Sequence, residues 1–362
     1  MTGVGGDPGH GGPGARIVVT GATGNVGTSL VEALSRDPAV GSVVGVARRL
    51  PDWSPPRTRW VAADVVTADL VELFRGADAV VHLAWLFQPT HRPLVTWRNN
   101  VVGGMRVFAA VAAAGVPALL YASSVGAYSP GPKDRRVDEG WPTDGWPTAG
   151  YTREKAYLER VLDAFEERNP GVRVVRMRPG FIFKRESASQ QRRLFAGPLL
   201  PNRLVRPGVV PVVPDLPGLR FQVMHSSDAA EAYRLAALGD ARGPFNLAAE
   251  PVVDARLLAE CLRARTVRLP RGPVRAAVAA AWHLHLVPAS PHLFDAVVRI
   301  PVLAVDRART ELGWTPRHSA REAIEALLEG LRESAGMPTP PLAPRLPGGR
   351  AREVATGLGQ RA

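Results

Sequence analysis

Cysteine and long apolar runs are scarce in this chain of 362 residues. Cys261 is the only cysteine, which excludes an internal disulfide framework and fits the reducing environment of the cytoplasm. Residues 1–14 are glycine-rich and have no apolar stretch, so no secretory signal is expected. The richest apolar run, Ala276–Trp282, is short and is flanked by Arg275 and His283, which indicates a buried or surface-lying helix. We therefore expect a cytoplasmic protein without an integral membrane segment.

Acidic residues are outnumbered, with 33 Asp and Glu against 45 Lys and Arg and a formal net charge of +12. The basic residues are scattered, and no basic helix is interleaved with aromatic residues, so nucleic-acid binding is not expected. An anionic small-molecule substrate remains compatible with this balance. Part of the excess lies beyond Ser334, where proline, glycine and arginine dominate. That composition predicts a disordered tail over 335–362 that adds little stability, and residues 1–15 are expected to be disordered as well.

Metal ligands of the usual kinds are sparse too. His283, His285 and His292 lie close together in the sequence, but no cysteine or acidic residue stands at a suitable ligand spacing beside them. The sequence therefore predicts no metal site.

Strand patterns alternate with helical ones along most of the chain. The predicted strands are 16–20, 42–47, 60–62, 79–83, 118–122, 173–178 and 244–248. The predicted helices run from near Arg92 to Gly115, over 151–169, over 226–238, and from Ser319, where Glu322 completes a capping box. This alternation predicts an α/β fold with a doubly wound parallel sheet that is covered by helices on both faces. The sheet domain is expected to comprise 16–179 and 221–250, and a smaller, discontinuous substrate lobe 180–220 and 251–334.

The first strand pattern, Arg16–Thr20, runs directly into a glycine-rich turn. Gly21, Gly24 and Gly27 are spaced three residues apart, and an apolar helical pattern follows from Val26. Glycines at such a turn let the backbone approach a pyrophosphate, while the first amides of the helix supply hydrogen bonds and positive dipole. The position directly after the first strand favours a dinucleotide site over an ordinary turn.

Tyr151 and Lys155 form a Tyr-x-x-x-Lys pair in a chain with only two other lysines, Lys133 and Lys184. Residues four apart share one face of a helix, so the two side chains are expected to lie together. A neighbouring ammonium group would hold the pKa of the phenol far below its reference value of about 10. The pair therefore indicates a tyrosine that transfers protons at neutral pH.

In their order along the chain, these motifs resemble the extended short-chain dehydrogenase/reductase superfamily, and in particular its NAD-dependent epimerase/dehydratase branch. The similarity runs from Arg16 to Pro316. Its further motifs are Asp64, His82-Leu83-Ala84, Asn100, Tyr121-Ala122-Ser123-Ser124, Arg178-Pro179, His225 to Asp228, Phe245-Asn246-Leu247 and Glu311 to Trp314. The resemblance implies a Rossmann-type sheet domain and a homodimer that forms through the helices near Asn100 and Tyr151.

The resemblance also assigns roles to residues whose chemistry suits them. Tyr151 would act as general acid and base, and Lys155 would lower its pKa and bind the nicotinamide ribose. Ser124 would donate a hydrogen bond to the substrate oxygen, whereas Ser123 is expected to satisfy backbone groups at the end of its strand. The implied cofactor contacts are Gly21, Thr23, Gly24, Asn25, Val26, Gly27, Arg48, Asp64, Val65, Leu83, Ala84, Asn100, Lys155 and Pro179.

The choice between NAD and NADP depends on the end of the second strand. An acidic residue normally accepts the ribose hydroxyls of NAD at this point, whereas this chain has Arg48 and Arg49 after Ala47. An arginine can pair with the 2′-phosphate of NADP. The sequence therefore favours NADP, and NAD is the alternative if both arginines are solvated.

Departures from the family pattern narrow the expected reaction. Sugar-nucleotide dehydratases carry an acidic pair after the serine, but Val125 and Gly126 stand there. The chain therefore has no base at this point for the proton abstraction that dehydration requires. Gly180 follows Arg-Pro where the epimerases have an asparagine that helps hold the nucleotide sugar. Trp85 and Phe87 alter the segment after the fourth strand, and they either line an apolar substrate pocket or pack in the core.

The sequence thus predicts an NAD(P)-dependent oxidoreductase that acts on a small molecule and transfers a hydride to or from a secondary alcohol or ketone. A nucleotide-sugar epimerase with retained NAD would use the same three side chains and is the main alternative. A cofactor-binding regulatory protein is the other alternative, although such relatives often lose the tyrosine or the lysine.

Overall fold

The computed structural model describes residues 14–200, 205, 207–345 and 348–349. Its strands are β1 (Ala15–Thr20), β2 (Val40–Ala47), β3 (Thr58–Ala62), β4 (Ala79–His82), β5 (Ala118–Ala122), β6 (Arg136–Val137), β7 (Arg173–Pro179), β8 (Phe181–Phe183), β9 (Val212–Asp215), β10 (Val223–His225), β11 (Gly243–Leu247), β12 (Arg265–Arg268) and β13 (Val302–Leu303). Seven of them form one parallel sheet in the order β11-β7-β5-β4-β1-β2-β3. All the predicted strands lie in this sheet, so the predicted fold class is confirmed.

The helices cover both faces of the sheet. They are α1 (Asn25–Arg36), α2 (Leu70–Phe74), α3 (Pro93–Trp97), α4 (Gly103–Ala113), α5 (Gly150–Arg168), α6 (Ala188–Gln191), α7 (Ser226–Leu238), α8 (Ala255–Leu262), α9 (Arg271–His283), α10 (Pro291–Val297), α11 (Asp306–Glu311) and α12 (Ala320–Glu333). A π-helical turn, Arg98–Val102, joins α3 to α4. Within the described residues, no helix is long and apolar enough to cross a membrane.

Strand β1 shows why the sheet is buried on both sides. Ile17 points into a core that it shares with Leu30 of α1 and Tyr233 of α7. Val18 points the other way, into a second core with Phe108 of α4. Each core residue named here is at most 1% exposed, so apolar side chains are required at successive positions rather than at alternate ones.

A smaller lobe is built from three two-stranded parallel pairs, β8 with β10, β9 with β12, and β6 with β13. Helices α8 and α12 pack over it through Leu257 and Ile324. One segment within 251–334 packs on the sheet instead. Val305, Ala308 and Trp314 belong to the core on the α1 side of the sheet, where the Trp314 indole donates to the carbonyl of Asp228 at 2.8 Å.

The composition predicted disorder after α12, but the structure places the chain there in defined contacts, at least to residue 345. Leu342 is fully buried, and the Thr339 hydroxyl donates to the Thr23 carbonyl at 2.9 Å. The Arg193 guanidinium donates to the carbonyls of Pro341 and Ala343 at 2.8 and 2.9 Å. Specific contacts of an irregular, proline-rich segment therefore outweigh its polar composition. Residues 346–347 and 350–362 lie outside the described residues.

At the other end of the chain, strand β1 begins one residue earlier than predicted. Ala15 pairs with Val40, and its amide donates to the Ala39 carbonyl at 2.8 Å. The rest of the segment that was expected to be disordered, residues 1–13, lies outside the described residues.

Candidate active site

The candidate site lies where the order of the parallel strands reverses. β2 and β4 flank β1 on opposite sides. The loops that follow β1 and β4 therefore diverge at the carboxyl ends of these strands and open a crevice. A cavity of about 490 Å³ fills this crevice. It is lined by all the predicted site residues, namely Gly21, Thr23, Gly24, Asn25, Val26, Gly27, Arg48, Asp64, Val65, Leu83, Ala84, Asn100, Ser124, Tyr151, Lys155 and Pro179.

The glycine turn forms one wall, and two of its glycines are required by close backbone approaches. Gly21 has φ +71°, and a Cβ there would lie 2.6 Å from the amide nitrogen of Ala84. A Cβ on Gly27 would lie 2.3 Å from the Gly21 carbonyl oxygen. Gly24 caps α1 without a side-chain hydrogen bond, which leaves the first amides of the helix available to a ligand. This wall therefore fits the pyrophosphate of a dinucleotide.

Arg48 and Asp64 stand at the far end of the cavity, after β2 and β3. The Arg48 side chain is exposed at the rim, and Arg49 follows it there. The Asp64 carboxylate accepts a hydrogen bond from the amide of Val66 at 2.9 Å, which holds the turn after β3 in place. The only carboxylate among the described lining residues is thus Asp64, and it follows the third strand rather than the second.

Asn100 positions the loop after β4 rather than standing free in the cavity. Its side-chain oxygen accepts from the amide of Leu86, and its amide group donates to the Leu86 carbonyl, both at 2.8 Å. The same amide group donates to the Glu154 carboxylate at 2.7 Å. Burial raises the pKa of Glu154 above its ordinary value, and hydrogen bonds from Thr96 and Asn100 offset only part of this rise. Sequence analysis missed Glu154, although it lies beside Lys155 on the helix of the Tyr-Lys pair.

Ser124 and Tyr151 are brought together as predicted. Ser124 ends the loop after β5, where its hydroxyl accepts from the amide of Gly126 at 2.9 Å. Burial raises the pKa of Tyr151 to about 12, and a hydrogen bond with Ser124 partly offsets that rise. The phenol is therefore protonated at neutral pH.

Lys155 does not act on Tyr151 as the spacing predicted. Its Nζ donates to the Ala122 carbonyl at 2.5 Å and lies 3.4 Å from the centroid of the Trp85 ring. The centroid of the Tyr151 ring is 5.9 Å away. Burial holds the pKa of Lys155 well below its ordinary value, although Glu154 and Glu159 oppose this shift. The expected lowering of the tyrosine pKa is thus wrong for this structure, because enclosure by protein dominates both groups.

Two aromatic side chains enclose Tyr151. The ring of Phe87 stacks on that of Tyr151 with centroids 4.5 Å apart and an interplanar angle of 14°. Trp85 meets the same ring edge-on at 5.7 Å, and Phe195 of the smaller lobe meets Phe87 at 5.5 Å. All four rings line the cavity, and Trp85 also packs against the core on the α4 side of the sheet.

Glu159 is a buried charge beneath the site that sequence analysis missed. It accepts from the Ser123 hydroxyl at 2.5 Å and from the guanidinium groups of Arg176 and Arg178 at 3.1 and 2.8 Å. Burial opposes ionisation, but the hydrogen bonds and charge of Arg178 prevail and lower the pKa of Glu159 to about 2. Ser123 thus bonds to a carboxylate rather than to backbone. The network fixes Ser123 beside the cavity.

The fold and the cavity define a dinucleotide-binding protein with a Rossmann-type sheet. The model of the NAD dependent epimerase/dehydratase family matches residues 17–248, and the chain belongs to this family. Its members include enzymes of the extended short-chain dehydrogenase/reductase kind, and the predicted family is confirmed.

Individual relatives either have low sequence identity to this chain or match only part of it. An uncharacterised protein of Mycobacterium tuberculosis is 26% identical over 341 residues, which cover 87% of this chain and 83% of the relative. L-arabinose 1-dehydrogenase (NAD(P)+) of Haloferax volcanii is 39% identical over 111 residues, only 30% of this chain and 41% of that enzyme. The UDP-glucose 4-epimerase of Thermus thermophilus, solved with NAD, superposes with a TM-score of 0.65 at 20% identity, covering 88% of this chain and 99% of that one. At this identity the structural match shows the shared fold alone.

Proposed function

We propose that the protein is an NAD(P)-dependent oxidoreductase that transfers a hydride to or from a secondary alcohol or ketone, with Ser124, Tyr151 and Lys155 as its active side chains. One observation carries this proposal. The three side chains line the same cavity as the glycine turn after β1, so a proton donor and a dinucleotide wall face one space.

The cofactor contacts follow from the walls of the cavity. The amides that follow Gly24 would hold the pyrophosphate, Asp64 and Val65 the adenine end, and Lys155 the nicotinamide ribose. Leu83, Ala84, Asn100 and Pro179 would complete the contact surface. When bound, the cofactor supplies or accepts the hydride.

Tyr151 supplies the proton in the direction of ketone reduction. Because its pKa lies near 12, the phenol is in its donor form at neutral pH and can pass a proton to the substrate oxygen as the carbonyl becomes an alkoxide. The Ser124 hydroxyl, which lines the cavity with the phenol, would donate to the same oxygen. In the oxidative direction the phenol must first lose its proton, so oxidation would be favoured by alkaline solution.

The rest of the cavity favours an apolar substrate. Phe87, Phe195, Leu293, Val297 and Ile300 line it beside Tyr151. The charged side chains among the described lining residues are Arg48, Arg49, Asp64, Lys155 and Arg193. Arg193 is engaged by backbone carbonyls of the C-terminal segment, and the others lie in the proposed cofactor half or the triad. Among the described lining residues, a diphosphate-containing substrate would therefore find few cations in the substrate half.

A nucleotide-sugar epimerase with retained NAD is the second candidate. Membership of the epimerase/dehydratase family favours it, and the same triad would serve it. The apolar substrate half and the two arginines after β2 favour net redox with an exchangeable NADP instead.

The test is a panel of aryl and alkyl ketones and UDP-sugars, with NADPH or NADH oxidation followed by absorbance. Ketone reduction is expected. Tyr151→Phe should lower its rate by roughly a hundredfold to ten-thousandfold while cofactor affinity is retained, because only the proton donor is removed.

Tyr157→Phe is the matched control, since Tyr157 lies on the same helix with 41% of its surface exposed. It should leave the rate unchanged. Stoichiometric NAD released on denaturation, together with epimerised UDP-sugar, would instead establish the second candidate.

A further inference from the structure

An exposed surface of the smaller lobe lies outside the proposed active site. Helix α9 has no buried residue, and all four residues of β12 are exposed. We call this surface the outer-lobe face and define it by Arg265, Val267, Arg268, Leu269, Arg271, Ala276, Ala277, Ala280, Leu284 and Leu286, all of which are exposed. The strand ends two residues before the helix begins, and the helical part of this surface extends for about 20 Å along α9.

The solvent side of α9 is apolar. Ala276, Ala277, Ala280 and Leu284 follow one another at helical spacing and carry no charge. Leu284 itself is 68% exposed, and Val267 and Leu286 of the outer-lobe face are each 43% exposed. A soluble surface helix normally turns such a strip inward, so the strip indicates a surface that is covered by a partner.

The charge of the face has one sign. No acidic residue occurs from Cys261 to Phe294, and this stretch contains five arginines. Arg265 and Arg271 make no ion pair with any described residue. Arg268 reaches Asp215 only at 3.7 Å, and its side chain is 95% exposed. The arginines at the β12 end are therefore available to an anionic partner.

We propose that the outer-lobe face docks on the surface of an anionic lipid bilayer. The arginines would contact the headgroups, and the strip of α9 with Leu284 and Leu286 would enter the boundary with the acyl chains. With 13 residues, α9 is too short to cross a bilayer and would lie along its surface.

Other occupants fit the face less well. A second copy of the chain would bring the same acid-free surface against itself and leave its arginines without partners. A nucleic acid would use the arginines, but its polar backbone would cover the alanine and leucine strip without burying it in an apolar medium.

Docking would bring the membrane close to the cavity. Helix α10 packs on α9, and its residues Leu293, Ala296 and Val297 line the cavity. A lipid-soluble ketone or alcohol could then reach the site from the bilayer. This consequence rests on the proposed function, whereas the docking itself does not.

The test uses the full chain and vesicles of phosphatidylcholine with or without phosphatidylglycerol, separated by flotation. Binding is expected only with phosphatidylglycerol and should weaken as salt is raised. Arg265→Ser, Arg268→Ser and Arg271→Ser together should lower the partition coefficient by tenfold or more. Leu284→Gln should also weaken binding, although the net charge is unchanged.

Matched controls separate this face from net charge and general hydrophobicity. Arg59, Arg168 and Arg242 are exposed elsewhere, and their joint replacement by serine removes the same charge. Leu50, which is 52% exposed, is replaced by glutamine as the control for Leu284. Both controls should bind as wild type does, and thermal melting should verify that every variant is folded.

The proposal would be overturned by failure of the wild type to float with anionic vesicles, or by equal losses in the control variants. Self-association that Leu284→Gln abolishes would reassign the face to a second copy. Binding of duplex RNA that only the arginine variants lose would reassign it to nucleic acid. Ketone reduction in vesicle-free solution is measured in parallel, so a failure of docking is distinguishable from a failure of the proposed reaction.

Discussion

At the scale of residues, spacing placed side chains correctly but did not give their electrostatic state. The Tyr-x-x-x-Lys pattern brought Tyr151 and Lys155 to one cavity wall. It could not show that Trp85 would cover the ammonium group, since those residues are 70 positions apart in the sequence. A pKa depends on enclosure as much as on the nearest charge, and enclosure is a property of the assembled fold.

Glu159 provides a test of the buried charges under the site. Glu159→Gln should lower the free energy of unfolding by about 3 kcal/mol or more, because it leaves Arg178 buried without its carboxylate. Glu167→Gln, at an exposed position of the same helix, is the control. Urea unfolding at neutral pH measures both changes.

The pH dependence of this loss has a defined sign. The pKa of Glu159 falls from an ordinary value of 4.5 to about 2 in the folded protein, so its contribution is present above pH 4.5 and disappears as pH falls toward 2. The difference in free energy of unfolding between wild type and Glu159→Gln should therefore narrow over that interval. A gap that is constant with pH would show that packing, rather than charge, causes the loss.

Arg48 is the residue on which the proposed NADP preference depends. Calorimetric titration should show tighter binding of NADP than of NAD, and Arg48→Ser should remove the difference, a loss of roughly tenfold to hundredfold for NADP alone. Arg59→Ser, on the neighbouring strand β3, should have no effect. Equal affinities in the wild type would contradict the preference without affecting the fold.

At the scale of elements, the sequence predicted regular structure far better than irregular structure. Strand β5 and helix α7 have the predicted bounds, and the capping box of Ser319 and Glu322 is present. These elements carry periodic apolar patterns and local hydrogen bonds, which are visible within a short window. The segment 335–345 has neither, because its order depends on Thr23 and Arg193, which are remote in the sequence.

Removal of the C-terminal segment tests this difference. Truncation after Gly336 should lower the melting temperature by several degrees, since it exposes the pocket of Leu342, a side chain worth about 2 kcal/mol when buried. Cofactor affinity should fall as well, because Pro340 and Pro341 line the cavity.

Truncation after Gly349 is the matched control for that experiment. It retains Thr339, Pro341 and Leu342 with their contacts and should melt as the full chain does. If both truncated proteins matched the full chain, the packing of the segment would contribute nothing to stability, as its composition first suggested.

At the scale of the whole molecule, a dimer remains a proposal. Leu94, Val102, Met105 and Tyr157 are exposed on α3, α4, α5 and the π-helical turn, with Leu94 81% exposed. We expect a dimer by light scattering and a monomer for Leu94→Asp combined with Met105→Asp. Leu50→Asp, on a different surface, should leave the mass unchanged. A monomeric wild type at micromolar concentration would contradict this expectation.

The contact between Thr339 and Thr23 also constrains the order in which the protein matures. These residues are separated by 316 positions, so the glycine turn leaves the ribosome long before the segment that closes against it. Sheet strands β1 to β5 can pair during synthesis, but the cavity wall formed by Pro340 and Pro341 is added only near the end. A nascent chain would thus acquire its complete nucleotide site as one of its last folding events, and an interrupted chain would lack that wall.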